Sequence, residues 1–141
     1  MKVVVAKTED QIQEVFNIRK TVFVEEQKVP LEEEIDEYEN DSTHFVLYDQ
    51  SHSVGAGRFR ILDGVGKVER ICVLPAIRGK GAGRELMLAI EEYAKQQPLS
   101  QLKLNAQTYA IPFYEGLGYE VISDEFLDAG IPHKTMKKTI Q

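Results

Sequence analysis

The stretch "ICVLPAIRGKGAGRELM", Ile71–Met87, constrains this chain more than any other. A β-branched run meets Pro75, three glycines follow within five residues, and a helix-forming segment begins. Glycine at that density marks backbone that turns with positive φ or comes close to a ligand. A strand entering such a turn and leaving it as a helix makes an anion site. The helix N-terminus presents unpaired N–H groups and the positive end of the macrodipole. Arg78, Lys80 and Arg84 add charge to it. Turn geometry alone is the competing reading. Two nucleotide motifs fail on spacing. A P-loop needs G-x-x-x-x-G-K-[ST], but Leu74 and Gly81 occupy the defining places around Gly79-Lys80, and Ile61 and Val68 do so around Gly66-Lys67. The dinucleotide pattern G-x-G-x-x-G finds Arg84 where its last glycine belongs.

At 141 residues, 43% hydrophobic and 28% charged, the chain reads as one globular domain, 1–141. The opening MKVVVAK is too short for a signal peptide, and no run approaches the roughly 20 apolar residues of a membrane span. The expected compartment is cytoplasmic. Cys72 is the only cysteine, and His44, His52 and His133 show no ligand spacing, so neither a disulfide nor a metal site is expected. The net charge of −6 is uneven: Glu25–Asp41 holds nine acidic residues against one lysine. With no basic stripe elsewhere, nucleic acid is excluded as the expected partner.

Periodicity predicts a valine-rich strand at Lys2–Ala6, then a helix opened by a capping box, Thr8 with Gln11. Its core stripe is Ile12, Val15, Phe16, Val22 and Phe23. The acidic run reads as a loop with a helical turn. Strands follow at Thr43–Asp49, Ser53–Leu62 and Lys67–Val73, the last two joined by an Asp63-Gly64 hairpin turn. Ala82–Lys95 is an amphipathic helix with Leu86, Ile90, Tyr93 and Ala94 inward and Glu91 placed to pair with Lys95. A strand at Leu102–Ala106, a short helix at Ala110–Leu117, and strands at Tyr119–Ile122 and His133–Lys138 complete an α+β chain.

Arg78–Gly83, "RGKGAG", matches [QR]-x-x-G-x-[GA] and resembles the acyl-CoA pyrophosphate loop of the GNAT N-acetyltransferase superfamily. "FYEGLGYE", Phe113–Glu120, resembles that family's C-terminal Y-E-x-x-G-[FY] segment at the right remove. "IRKTVFVEEQKVP" (Ile18–Pro30) and "AGIPHKTM" (Ala129–Met136) resemble its ElaA/YjcF-like branch, extending the likeness over essentially the whole chain. The resemblance implies a mixed, mostly antiparallel sheet of six to seven strands flanked by about four helices. It also implies acetyl transfer from acetyl-CoA to a primary amine, on a small molecule or a peptide, by direct attack on the thioester. A noncatalytic acyl-CoA-binding or sensing module is the rival reading. A homodimer is implied by the resemblance, not by any residue.

Carried over by position, Ile71, Cys72 and Val73 offer backbone groups to the pantetheine arm and the acetyl oxygen. Arg78, Gly79, Lys80, Gly81, Ala82, Gly83 and Arg84 hold the pyrophosphate. Asn105 and Gln107 hydrogen-bond pantetheine or substrate, or else cap a strand end. Tyr114 is the motif tyrosine that gives the departing thiolate its proton. Three bases compete: Glu69, expected on the same alternation face as Ile71 and Val73 or else paired with Arg70; His133; and water. Cys72 reads as a small buried hydrophobe rather than a nucleophile. The acidic run either attracts a cationic amine to the acceptor side or is solvated surface.

Overall fold

The structure, a computed structural model, describes residues 1–140. Eight strands form one sheet: β1 (Lys2–Val5), β2 (Thr43–Asp49), β3 (His52–Leu62), β4 (Val65–Val73), β5 (Gln101–Gln107), β6 (Glu120–Val121), β7 (Phe126–Asp128) and β8 (Ile131–Thr139). The order is β1-β2-β3-β4-β5-β8-β6, with β7 also on β8. Every pairing is antiparallel except β4 with β5. Helices α1 (Glu9–Arg19), α2 (Leu31–Glu34), α3 (Ala82–Ala94) and α4 (Ile111–Glu115) complete the α+β architecture. The strand β7, absent from the sequence reading, is three residues long, too short to show an alternation.

The local signals act as expected where they are covalently close. Thr8 Oγ1 accepts from the Gln11 amide at 3.1 Å, and Gln11 Oε1 accepts from the Thr8 amide at 3.2 Å, closing the capping box. Asp63 and Gly64 both take positive φ in the two-residue β3–β4 turn. α1 does not end cleanly but widens into a π-helical segment, Lys20–Glu26, a form often found at functional sites.

Two cores sandwich the sheet. On one face Phe59, Val68, Leu102, Leu104 and Met136 pack with Leu86 and Ile90 of α3. On the other Val46, Ala56 and Cys72 pack with Val15, Ile18 and Val22. Glu91 is buried rather than paired with Lys95: it accepts from Tyr119 Oη at 2.9 Å and Lys138 Nζ at 2.8 Å, while Lys95 lies 3.9 Å from Glu92. Glu91 sits on the core side of α3, so only Glu92 remains at the surface for Lys95. Among the described residues, no helix is long and apolar enough to cross a membrane.

Candidate active site

The site begins where two parallel strands part. β4 and β5 are in register only from Gly66↔Leu102 to Val68↔Leu104, yet β4 continues to Val73 and β5 to Gln107. The cause lies on the other side of β4. Its register with β3 slips between Ala56↔Cys72 and Arg58↔Glu69, leaving two β4 residues opposite Gly57. Arg70 occupies this bulge with φ +58°. A bulge bends its strand, and here it bends β4 away from β5. A non-glycine residue held in this conformation costs about 1–2 kcal/mol. Hydrogen bonds from the Arg70 guanidinium to Glu34 O (3.0 Å) and Asp36 Oδ2 (3.3 Å) offset that cost.

The bulge corrects the expected facing of Glu69. Ile71 and Val73 pack with the α3-side core, whereas Glu69 points to the opposite side, with Arg58 and Arg60 rather than Arg70. One inserted residue inverts the alternation.

A cavity of about 190 Å³ fills the opening. Glu69, Ile71, Asn105, Tyr114 and His133 line it, whereas Cys72, Val73 and the glycine loop do not. The sequence reading missed Phe23 and Gln27 on the roof and Lys67 on β4. Gln27 Oε1 accepts from Gln107 Nε2 at 2.8 Å, tying the roof to the end of β5. No local signal announces these contacts, because they join positions 80 residues apart.

The roof comes from the acidic run, a loop with the expected helical turn at Leu31–Glu34. Six of its nine acidic residues are exposed, and Glu34, Asp36 and Glu39 turn inward. Arg19, fully buried, donates Nε to Glu34 Oε1 at 2.6 Å and its two terminal nitrogens to Glu39 at 2.8 Å. Arg58, also fully buried, holds Asp36 at 2.8 and 3.0 Å and Glu69 Oε1 at 2.9 Å. Bidentate guanidinium–carboxylate pairs are what make such burial tolerable. Burial pushes the Glu39 carboxyl up, but the Arg19 hydrogen bonds and charge outweigh it, and the group settles at about 2. Glu69 shows the same contest: burial raises it, Arg60 and Arg58 lower it, and the net direction is down.

Beyond the far end of β4 comes the glycine loop. Gly79 and Gly81 take φ of +81° and +84°, with nothing within 4 Å of an added Cβ. Their need is conformational, and the space above them is open. Gly81 is the N-cap of α3, and no side chain caps that helix, so its first amides face outward unpaired. Arg78 is engaged elsewhere: its two terminal nitrogens meet Glu26 at 2.6 Å, and Nε donates to Val73 O at 3.1 Å.

The titratable residues divide by environment. Tyr114 is 9% exposed, packs edge-on against Phe113 and Tyr119, and burial pushes its hydroxyl well above the usual phenol range. It keeps its proton at neutral pH. His133 Nδ1 lies 2.6 Å from Ile131 O. A carbonyl only accepts, so Nδ1 carries the hydrogen and Nε2 is the free nitrogen of the neutral ring. Cys72 is buried on the α1 face, and burial pushes its thiol up to about 12. Asn105 Oδ1 accepts from Thr135 Oγ1 at 2.8 Å.

The fold recurs in known proteins. The chain is 55% identical over 139 residues to the uncharacterized N-acetyltransferase YjcF of Bacillus subtilis, covering 98% of this chain and 99% of that one. The crystal structure of Escherichia coli ElaA superposes with a TM-score of 0.84 at 23% identity, covering 97% of each chain. That of an aminoglycoside 6'-N-acetyltransferase complexed with coenzyme A gives 0.80 at 16%, covering 100% of this chain and 98% of the other. With the acetyltransferase (GNAT) domain model matching residues 4–140, the chain belongs to the GNAT family of N-acetyltransferases.

Proposed function

We propose that the chain transfers acetyl from acetyl-CoA to a primary amine, with the donor's pantetheine arm in the β4–β5 opening. The observation that carries this reading is the continuity from that opening, along β4, to the uncapped start of α3. A diphosphate seated on the loop Arg78–Arg84 meets free amides, Lys80 and Arg84 there. It also gains Arg78 once that side chain leaves Glu26. The parted β4 edge offers backbone groups of Ile71 and its neighbours to the thioester arm, with Asn105 facing it from β5.

In the proposed chemistry an ammonium first gives one proton to His133 Nε2. The neutral nitrogen bonds to the thioester carbon and the C–S bond breaks. The departing sulfur takes a proton from the Tyr114 hydroxyl, and the second amine proton restores the phenol. Tyr114 is suited to stabilise charge developing on sulfur because its hydrogen is retained until that moment. Glu69 is a poor base, since two arginines hold it ionised. Its Oε2 makes no hydrogen bond among the described residues and can orient the ammonium before deprotonation.

Calorimetric titration with CoA, followed by free-thiol release from acetyl-CoA across amines, tests this. CoA binding with turnover on at least one amine is expected. Saturable binding without turnover across polyamines, amino sugars, amino acids and peptides would leave a binding module instead. Absence of CoA binding would sink both.

A further inference from the structure

The strand registers place four cations side by side. Arg60 on β3 faces Lys67 on β4, Lys67 faces Lys103 on β5, and Lys103 faces Lys137 on β8. Residues directly opposite one another in a sheet share a face, and like charges there are destabilising. The next row confirms the facing, since Val68, Leu104 and Met136 all enter the α3-side core. The row therefore lies on the other face, where α1 packs on β2, β3 and β4 but is not the cover of β5 or β8.

The ends of the row are neutralised and its middle is not. Arg60 donates to Glu69 at 2.8 Å and stacks 4.0 Å from the Tyr38 ring. Lys137 lies 3.8 Å from Glu120. Lys67 and Lys103, both half-buried, make no ion pair or side-chain hydrogen bond among the described residues. This happens in a chain of net charge −6, whose buried arginines are all matched with carboxylates. Lys67 also lines the cavity. Asn105, on the cavity wall, is two residues past Lys103, about 7 Å along the strand.

We infer that Lys67 and Lys103 form the subsite for an anionic group on the acceptor: the substrate is an amine that also carries a carboxylate or phosphate. This rests on the acetyltransferase reading of the cavity. The anion compensates the middle of the row and orients the molecule with its amine toward Glu69 and the parted strands. In the acidic roof Glu34, Asp36 and Glu39 are already committed to arginines. Glu33 and Asp128, which also line the cavity, make no ion pair among the described residues and suit the amine end of such an acceptor.

The test uses matched acceptors that differ only in the anion: lysine against 1,5-diaminopentane, and an aminohexose 6-phosphate against the free aminohexose. Two readouts are taken, thiol release with acetyl-CoA and calorimetric binding to the CoA-saturated protein. In at least one pair the anionic member should be favoured about tenfold or more, as for a hydrogen bond to a charged group. The first pair reports a carboxylate, the second a phosphate. In a Lys67→Gln/Lys103→Gln variant that preference should fall to within about threefold, while Tm stays level or rises because a like-charge contact is gone. Lys103→Glu should shift preference toward the member lacking the anion. The inference is overturned if CoA binds but neither anionic member is favoured in either readout, or if the preference survives in the double variant. Absence of CoA binding strikes the acetyltransferase reading first and is seen before any acceptor is added.

Discussion

The roof of the cavity and the loop before α3 are both dense in charge, and they treat it in opposite ways. In the roof, Glu34, Asp36 and Glu39 are consumed by Arg19, Arg58 and Arg70 inside the protein. In the loop, Lys80 and Arg84 surround glycines with open space above them. The first arrangement builds a wall; the second leaves a site available. Composition alone does not reveal this, since a run of nine acids gives no sign that three of them turn inward, and a tight glycine turn looks closed.

The largest effect separating the two regions should come from Arg19→Ala. It strands Glu34 and Glu39 without their buried partner and should cost about 3–5 kcal/mol in urea unfolding. Arg84→Ala should stay within about 0.5 kcal/mol. A loss below about 1 kcal/mol for Arg19→Ala breaks the comparison. Acid should probe the same wall. Glu39 titrates near 2 when folded, below its ordinary 4.5, because the Arg19 pairing overcomes the effect of burial. Its contribution is present above about pH 5 and disappears as pH falls toward 2, roughly 3 kcal/mol in all. Asp36 and Glu69 are lowered too and act in the same direction. A melting temperature flat from pH 6 to 2 contradicts this.

On the open side, Tyr114→Phe should reduce thiol release about 10²-fold, with CoA affinity changed less than about twofold. Undiminished turnover removes Tyr114 from the mechanism. Gly81→Ala should cost about 1 kcal/mol of stability, because φ of +84° disfavours a Cβ, and should weaken CoA. Gly81→Asn, which tolerates that conformation better, should recover part of the stability. The smallest change is expected for Glu26→Gln, which frees Arg78 from an exposed pair. CoA affinity should rise up to about threefold; a decrease shows that Glu26 presents Arg78 rather than competing for it.

What could be read in the chain follows the range of the interaction. Thr8 with Gln11 and Asp63 with Gly64 act within four residues, and both behave as their types require. Tyr114 and Glu69 line one cavity, although they lie 45 residues apart and only Tyr114 belongs to a motif. The bulge at Arg70 was not legible, because its residue is the wrong type for positive φ. It is held there by Glu34 and Asp36, which are distant in sequence. Missing that bulge is what put Glu69 on the wrong face. The lysine row was invisible for a related reason: it exists only across strand registers, and each lysine alone is an ordinary polar strand position.

Cys72, placed behind β4 in the α1-side core, has a practical consequence. With Cys72 5% exposed and its thiol pushed up by burial, the native chain should react with thiol-reactive dyes far more slowly than free CoA does. An early colour change during the reaction is therefore expected to count free CoA above little background from the protein. Once denaturant opens the core, the same reagent takes up one equivalent per chain, since there is no second cysteine. One assay thus meters both turnover and the fraction of enzyme still folded.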